Sequence, residues 1–88
     1  MRGNPVRDPR QLGLALRQRR RELGLTQTQV AERAGVRAAT VSAVENGDPG
    51  AKLSTIFALL IALDLELAAR RRTRAELTAG SAGVSFQP

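Results

Sequence analysis

Closely spaced helix start and stop signals between residues 24 and 37 restrict this 88-residue chain more than any other feature of its sequence. Gly24 ends a first apolar helical repeat, and the pair Thr26 and Gln29 forms a capping box that starts a second helix. Gly35 ends that second helix after about two turns. The sequence therefore predicts two short helices that are joined by a tight turn at Gly35.

Apolar residues at helical spacing place further helices around this turn. Asp8 offers an N-cap, and Pro9 offers the first position, for a helix over about residues 9–23. A short, half-polar helix over 37–45 follows the turn, and the most hydrophobic helix covers 53–63. We predict an all-α fold, a small four-helix bundle.

Two terminal segments lack any periodic pattern. Residues 1–7 contain two arginines together with Gly3, Asn4 and Pro5, which predicts a flexible basic arm. Residues 72–88 are small, polar and glycine-containing, and we expect a disordered tail there. The folded domain is predicted to span residues 8–71.

The segment 65–71 has two interpretations. Its apolar residues alternate with period two, which is typical of a strand, yet Leu, Glu and Ala also favour continuation of the fourth helix. A lone strand leaves its backbone N–H and C=O groups unpaired, so a strand here has to pair with the same residues of a second subunit. The expected result is a homodimer, with three strand residues facing the bundle: Leu65, Leu67 and Ala69.

The amino-acid composition excludes several classes of function. The chain has no Cys and no His, so the usual zinc and haem ligand sets and every His-dependent acid–base scheme are absent; we predict no metal, no cofactor and no enzymatic activity. The net charge of +6 predicts a polyanionic partner, although a GC-rich genome also raises arginine content. We find neither a signal peptide nor a run of apolar residues long enough to cross a membrane. We therefore expect a cytoplasmic, nucleoid-associated protein.

The central residues resemble a known family. The match is carried by the pattern Arg20-x-x-x-Gly24-Leu25-Thr26-Gln27-x-x-Val30-Ala31-x-x-Ala34-Gly35-Val36-x-x-x-Thr40-Val41-Ser42-x-x-Glu45-Asn46-Gly47. This pattern is similar to the Xre/phage-repressor helix-turn-helix family over about residues 10 to 63. The entry into the first helix and the exit at residues 65–67 resemble HipB-type antitoxins, which end in a strand that pairs across a dimer. The family usually has a Ser or Thr N-cap where this chain has Arg37, so one helix cap is lost.

The third helix and its neighbours supply the predicted DNA contacts. The B-DNA major groove admits one helix with a small polar face, and Arg37 is the side chain there that can make two hydrogen bonds to guanine. Neighbouring methyl groups can contact thymine, while the start of the second helix can bind phosphate. The predicted DNA-binding residues are Gln27, Thr28, Arg37, Ala38, Ala39, Thr40, Ala43, Asn46 and Lys52. Each of them could instead be an ordinary solvated residue.

The resemblance also implies an ion pair between Arg20 and Glu45 that links the first and third helices. A partly buried pair would fix the angle of the recognition helix, whereas a surface pair would contribute almost nothing. Arg17, Arg19 and Arg21 are predicted to be phosphate-facing or solvated.

We therefore predict a homodimeric transcriptional repressor that binds a palindromic operator in double-stranded DNA. The resemblance to HipB-type proteins implies an antitoxin that represses its own operon and binds a HipA-type protein kinase toxin. A stand-alone regulator without a toxin and a protein-binding adaptor module remain as alternatives.

Overall fold

The computed structural model describes residues 5–72 and 84–87. It contains four helices and three short strands, in this chain order: β1 (Pro5–Val6), α1 (Pro9–Glu22), α2 (Gln27–Ala34), α3 (Ala38–Glu45), α4 (Leu53–Ala62), β2 (Glu66–Ala69) and β3 (Val84–Gln87). The predicted four-helix bundle is confirmed. Among the described residues, no helix is both long enough and apolar enough to span a bilayer.

All four helices end in the same way, and this explains why α4 stops. Each helix is followed, within two residues of its last residue, by a residue with a left-handed backbone; at Gly35 the φ angle is 71°, and at Asp64 it is 56°. The next backbone N–H then reaches back into the last helical turn, as from Leu65 to the Leu60 carbonyl over 2.8 Å. Glycine adopts this conformation readily, and Asp is one of the few other residues that tolerate it. Asp64 therefore ends α4 and directs residues 65–69 into a strand.

The core lies between the four helices and is built from aliphatic side chains. The fully buried residues are Leu16 from α1, Val30 from α2, Val41 from α3, Leu59 and Leu60 from α4, and Leu63. Burial of side chains of this size stabilises a fold by about 1.5–3 kcal/mol each, so these aliphatic side chains contribute a large part of the stability of the bundle.

The strand β2 has a partner within its own chain. β3 lies in the middle of a three-stranded sheet in the order β1-β3-β2, and it is antiparallel to both neighbours, with Leu67 opposite Phe86. The prediction of a strand is right, but the argument that it needs a second subunit is wrong, because β3 satisfies one edge of β2. The other edge of β2 pairs with no strand among the described residues.

The sheet also corrects the expectations for the two termini. Val6 belongs to β1, is only 7% exposed and joins the core, so this part of the predicted arm is ordered. Residues 84–87 form β3, so they are not part of a disordered tail, and Arg72 is buried. The rest of the predicted arm and tail, residues 1–4, 73–83 and 88, lies outside the described residues.

The prediction for the inward face of the strand holds at one of its three positions. Leu65 is half-buried and packs against the core. Leu67 is 36% exposed, and Ala69 is exposed, whereas Ala68 is half-buried. The difference arises because β2 begins at Glu66 and lies at the edge of the bundle, where only a small area of the strand is covered.

Candidate nucleic-acid interface

The helices α2 and α3 form a helix-turn-helix unit with well-defined ends. The Gln29 backbone N–H donates to the Thr26 hydroxyl over 3.1 Å, and the Thr26 backbone N–H donates to the Gln29 side chain over 2.9 Å. Val36 N–H donates to the Ala31 carbonyl over 3.0 Å and closes the turn at Gly35. The N–H groups of the first two residues of α2 have no partner within the helix and point outward from its positive end.

A buried carboxylate joins three of the helices. Glu45, the last residue of α3, has 2% of its side chain exposed. Arg20 from α1 donates from Nε to Glu45 Oε2 over 2.7 Å and from Nη2 to Oε1 over 3.0 Å, which is the ion pair expected from the sequence. Gln27 Nε2 from α2 donates to Oε1 over 3.1 Å, and Arg17 Nε donates to Oε1 over 3.4 Å. These residues, together with Asn46, are called the Glu45 cluster below.

The cluster keeps Glu45 ionised. Burial raises the pKa of the carboxylate, but the hydrogen bonds from Arg20 and Gln27, the positive charge of Arg20 and the hydrogen bond from Arg17 outweigh burial. The pKa of Glu45 therefore lies below its usual value. The same hydrogen bond raises the pKa of Arg20 against the opposing effect of burial, and the carboxylate charge adds to it. The pair is charged on both sides at neutral pH, and it fixes α3 against α1.

The structure places the predicted phosphate-binding residues Gln27 and Thr28 at the first two positions of α2. The Gln27 amide is not free to rotate, because one of its N–H groups is bound to Glu45. The amide nitrogen has a second hydrogen that remains available as a donor. Thr28 is exposed beside it. Both residues can therefore contact an anion at the start of α2.

The outer face of α3 is made of small side chains. Ala39 is exposed, and Thr40 and Ala43 are half-buried. Ala38, by contrast, is half-buried and packs against the core: it lies one turn before Val41 and two turns before Glu45, on the inner side of the helix, so it does not face outward with the other predicted DNA-binding residues of α3. The outer face can approach another surface closely, because no large side chain extends from it.

Arg37 stands at the N-cap of α3 and is exposed, and its side chain makes no capping hydrogen bond. The loss of a cap that the sequence indicated is thus present in the structure. Since a Ser or Thr would cap the helix at this position, Arg37 costs stability.

Asn46 and Lys52 lie at the ends of the loop between α3 and α4. Asn46 is exposed, and its Oδ1 accepts a hydrogen bond from Arg17 Nη2 over 3.3 Å. Lys52 is an exposed N-cap of α4 that makes no side-chain capping bond. Asn46 belongs to the same cluster as Gln27, whereas the contacts of the described residues do not connect Lys52 to that cluster.

Sequence reasoning missed two residues that position this site. A Cβ atom on Gly13 would overlap the backbone oxygens of Val44 and Glu45, so only glycine lets α1 lie this close to the end of α3. Arg17, which the sequence predicts to be phosphate-facing or solvated, contacts both Glu45 and Asn46. No local pattern reveals either contact, because 28 or more residues separate the partners.

Away from the Glu45 cluster, α4 exposes a line of large apolar side chains. Leu53, Phe57 and Ile61 are 66%, 43% and 79% exposed, and they follow one another at intervals of four residues. They are called the α4 stripe below. The stripe continues into a groove of about 300 Å³, which is lined in part by Val6, Leu12, Leu53, Ile56 and Leu67. Soluble monomers rarely expose a continuous apolar surface of this kind unless it binds something.

The Helix-turn-helix family matches residues 16–69, which include the second half of α1 and all of α2, α3, α4 and β2. The chain is 34% identical over 62 residues to the antitoxin HipB of Escherichia coli strain K12, covering 70% of this chain and 70% of that protein. It has the same identity to the antitoxin HipB of Escherichia coli O6:H1, of which it covers 66%. The chain thus spans about two thirds of the length of these curated relatives.

A solved structure described as a HipA-HipB-O2-O3 complex contains a chain of similar fold. The two chains superimpose with a TM-score of 0.75 at 30% identity, over 80% of this chain and 99% of the other. The likeness therefore extends beyond the α2–α3 unit to most of the described bundle.

Proposed function

Because this chain belongs to the HipB-like helix-turn-helix family, we propose that it is a dimeric transcriptional repressor that binds a palindromic operator in double-stranded DNA. The observation that carries this proposal is the Glu45 cluster. One buried carboxylate holds Gln27 at the start of α2 and, through Arg17, Asn46 at the end of α3. The proposed activity is binding alone and involves no catalysis.

The recognition helix in this proposal is α3. Its small outer face lets the backbone come close to base edges in the major groove, which is about 12 Å wide. Arg37 makes two hydrogen bonds to a guanine, and the methyl groups of Ala39, Thr40 and Ala43 contact thymine methyl groups. These contacts select the sequence.

The phosphate contacts surround this helix and set its register. The N-terminus of α2 binds a phosphate through its free backbone N–H groups together with the side chains of Gln27 and Thr28. Asn46 and Lys52 lie at the two ends of the loop that precedes α4, and both contact the DNA backbone. The net charge of +6 adds the long-range attraction to DNA that such a protein needs.

A second copy of the chain covers the α4 stripe in this proposal. Leu53, Phe57 and Ile61 supply a few hundred Å² of apolar surface, and Leu67 connects the stripe to the free edge of β2. Pairing of two β2 edges about a two-fold axis would bring the two stripes together. In this proposal the dimer contact lies mainly on α4. Leu65 packs in the core of its own subunit, and Ala69 lies at the edge of the dimer contact.

The most specific part of the proposal is that the protein is an antitoxin and binds a HipA-type protein kinase toxin in the cytoplasm. Its support is that the two relatives are HipB antitoxins and that a similar chain forms a complex with HipA. Purification of the native protein followed by mass spectrometry tests it. A stoichiometric kinase-sized partner is the expected result, and a protein that purifies alone would indicate a stand-alone regulator.

Two substitutions test the DNA contacts. Arg37→Ala is expected to cost about 1–3 kcal/mol on the operator and to relax selectivity at one base position. Gln27→Ala is expected to weaken operator and random DNA alike, because phosphate contacts carry no sequence information. Gel-shift titrations with both duplexes give the comparison. Equal losses on operator and random DNA for both variants would show that Arg37 does not contact a base.

A further inference from the structure

The four arginines near the end of α1 differ in how their guanidinium groups are bound. Arg20 uses Nε and Nη2 on Glu45 and Nη1 on the Leu25 carbonyl over 2.9 Å, and its side chain is 13% exposed. Arg19 donates from Nε to the Leu63 carbonyl over 3.0 Å and lies 3.6 Å from Glu22. The guanidinium groups of Arg19 and Arg20 are therefore both engaged in hydrogen bonds and ion pairs within the bundle.

Arg17 is bound much more weakly. Its contact with Glu45 is long, at 3.4 Å, and it shares the Oε1 atom with Arg20 and Gln27, which bind that atom at shorter distances. Arg17 is also the more exposed of the two cluster arginines, with 32% of its side chain accessible. The Glu45 carboxylate already accepts hydrogen bonds from Arg20 and Gln27 that are close to the usual length of about 2.9 Å. The carboxylate is therefore satisfied without the longer bond from Arg17.

The charges of the cluster do not cancel. Two guanidinium groups face the single carboxylate of Glu45, and Arg20 forms the close ion pair with it. The remaining positive charge therefore belongs to Arg17. This charge lies beside Asn46 and shares Glu45 with Gln27, two of the residues proposed to contact DNA phosphates.

We infer that the Arg17 guanidinium binds a phosphate of the DNA backbone, in exchange for its long bond to Glu45. This inference rests on the proposed function and adds one phosphate-binding residue to the same DNA interface. By donating to Asn46 Oδ1, Arg17 also turns the Asn46 amide nitrogen outward, so that Asn46 can donate to the same stretch of backbone. Arg20 stays on Glu45 and only positions the helices.

The test is the salt dependence of binding to a random-sequence DNA duplex, because a phosphate contact does not depend on sequence. Each neutralised phosphate contributes about −0.9 to the slope of log Kobs against log salt concentration. Arg17→Gln should therefore make the slope shallower by about one and weaken binding about tenfold at physiological salt. Arg17→Lys keeps a charge that phosphate accepts, and it should restore the slope.

Arg33→Gln is the matched control, because it removes the same charge from an exposed position in the last turn of α2, at the end opposite Gln27. Its slope should equal that of the parent protein. Thermal unfolding followed by circular dichroism verifies that each variant is folded. An unchanged slope for Arg17→Gln, or equal changes for Arg17→Gln and Arg33→Gln, would overturn the inference while leaving the proposed function intact. A parent protein that binds no duplex would overturn both.

Discussion

The Glu45 cluster and the α4 stripe show two opposite ways of building a protein surface. In the cluster, the buried carboxylate has a hydrogen-bond donor from each of α1 and α2, and the side chains around it are held at defined positions. In the stripe, Ile61 is 79% exposed although it is one of the most hydrophobic residues of the chain. The first surface is fixed before anything binds, whereas the second remains uncovered.

This difference indicates what each surface is for. A satisfied polar network adds little net stability, but it sets the geometry of the elements that it joins. It suits the contact with DNA, whose groove has a fixed shape. An exposed apolar line costs free energy until it is covered, and it suits a contact with another copy of the same chain.

Glu45→Ala should have the largest effect on stability. It removes the acceptor for Arg20 and leaves a largely buried guanidinium without a counter-charge, which typically costs about 3–5 kcal/mol. Urea unfolding monitored by circular dichroism measures the change. Glu45→Gln is the matched variant. It keeps the shape of the side chain and one acceptor oxygen, so it should lose less stability than Glu45→Ala. A loss below about 1 kcal/mol for Glu45→Ala would mean that the cluster behaves like a surface ion pair.

Ile61→Asp should break the second surface without disturbing the first. A carboxylate within the covered stripe, at its most exposed position, has no partner, so the dimer dissociation constant should rise about 100-fold, while the monomer stays folded. Sedimentation equilibrium provides the constant. Leu14→Asp is the control, because Leu14 is an exposed leucine of α1, 51% accessible, that lies outside the stripe. If both variants dimerise like the parent protein, the dimer does not use α4.

Acidification should affect the two surfaces differently, because the Glu45 cluster contains a buried carboxylate, whereas Leu53, Phe57 and Ile61 of the α4 stripe have no titratable side chain. The pKa of folded Glu45 lies below its usual value, so Glu45 stabilises the fold above the pKa of an exposed glutamate, about 4.3. This contribution is lost as the pH falls through the lower pKa of the folded state. The free energy of unfolding, measured between about pH 5 and pH 3, should decline more steeply for the parent protein than for Glu45→Gln. Parallel curves would contradict the account.

Arg37→Thr should give the smallest change, and a gain rather than a loss. A threonine at this position can cap α3, which typically adds about 1 kcal/mol of stability. The same variant loses the side chain proposed to contact guanine, so stability and operator selectivity should change in opposite directions. Thermal unfolding and gel-shift titration provide the two values. A variant that is no more stable than its parent would show that Arg37 already satisfies the helix end.

The sequence predicted the helices well because their ends are encoded locally. The capping box at Thr26 and the stop at Gly35 each depend on residues within one turn, and both occur in the structure as expected. The end of α4 was less certain, since Asp64 adopts the left-handed conformation less readily than glycine does. The resemblance to a family supplied the Arg20–Glu45 pair, which spacing along the chain could not.

The missed features are contacts between distant parts of the chain. The sequence allowed either a strand or a helix at residues 65–71 and did not indicate the partner of β2, because β3 is four residues long and lies in a glycine-containing polar segment. Nothing near Arg17 indicates that Glu45 and Asn46 lie within reach of it. The same limit applied to Ala38, whose burial follows from how α3 is turned against the core.

In the proposed function, two copies of this chain bind one palindromic operator. The direct measurement is selection of bound duplexes from a random pool, followed by footprinting and determination of the number of chains per duplex. The account predicts two inverted half-sites, with centres about 34–36 Å apart or a multiple of that distance, and two chains bound to each duplex. Failure to enrich any sequence, or one chain bound to a single half-site, would contradict it.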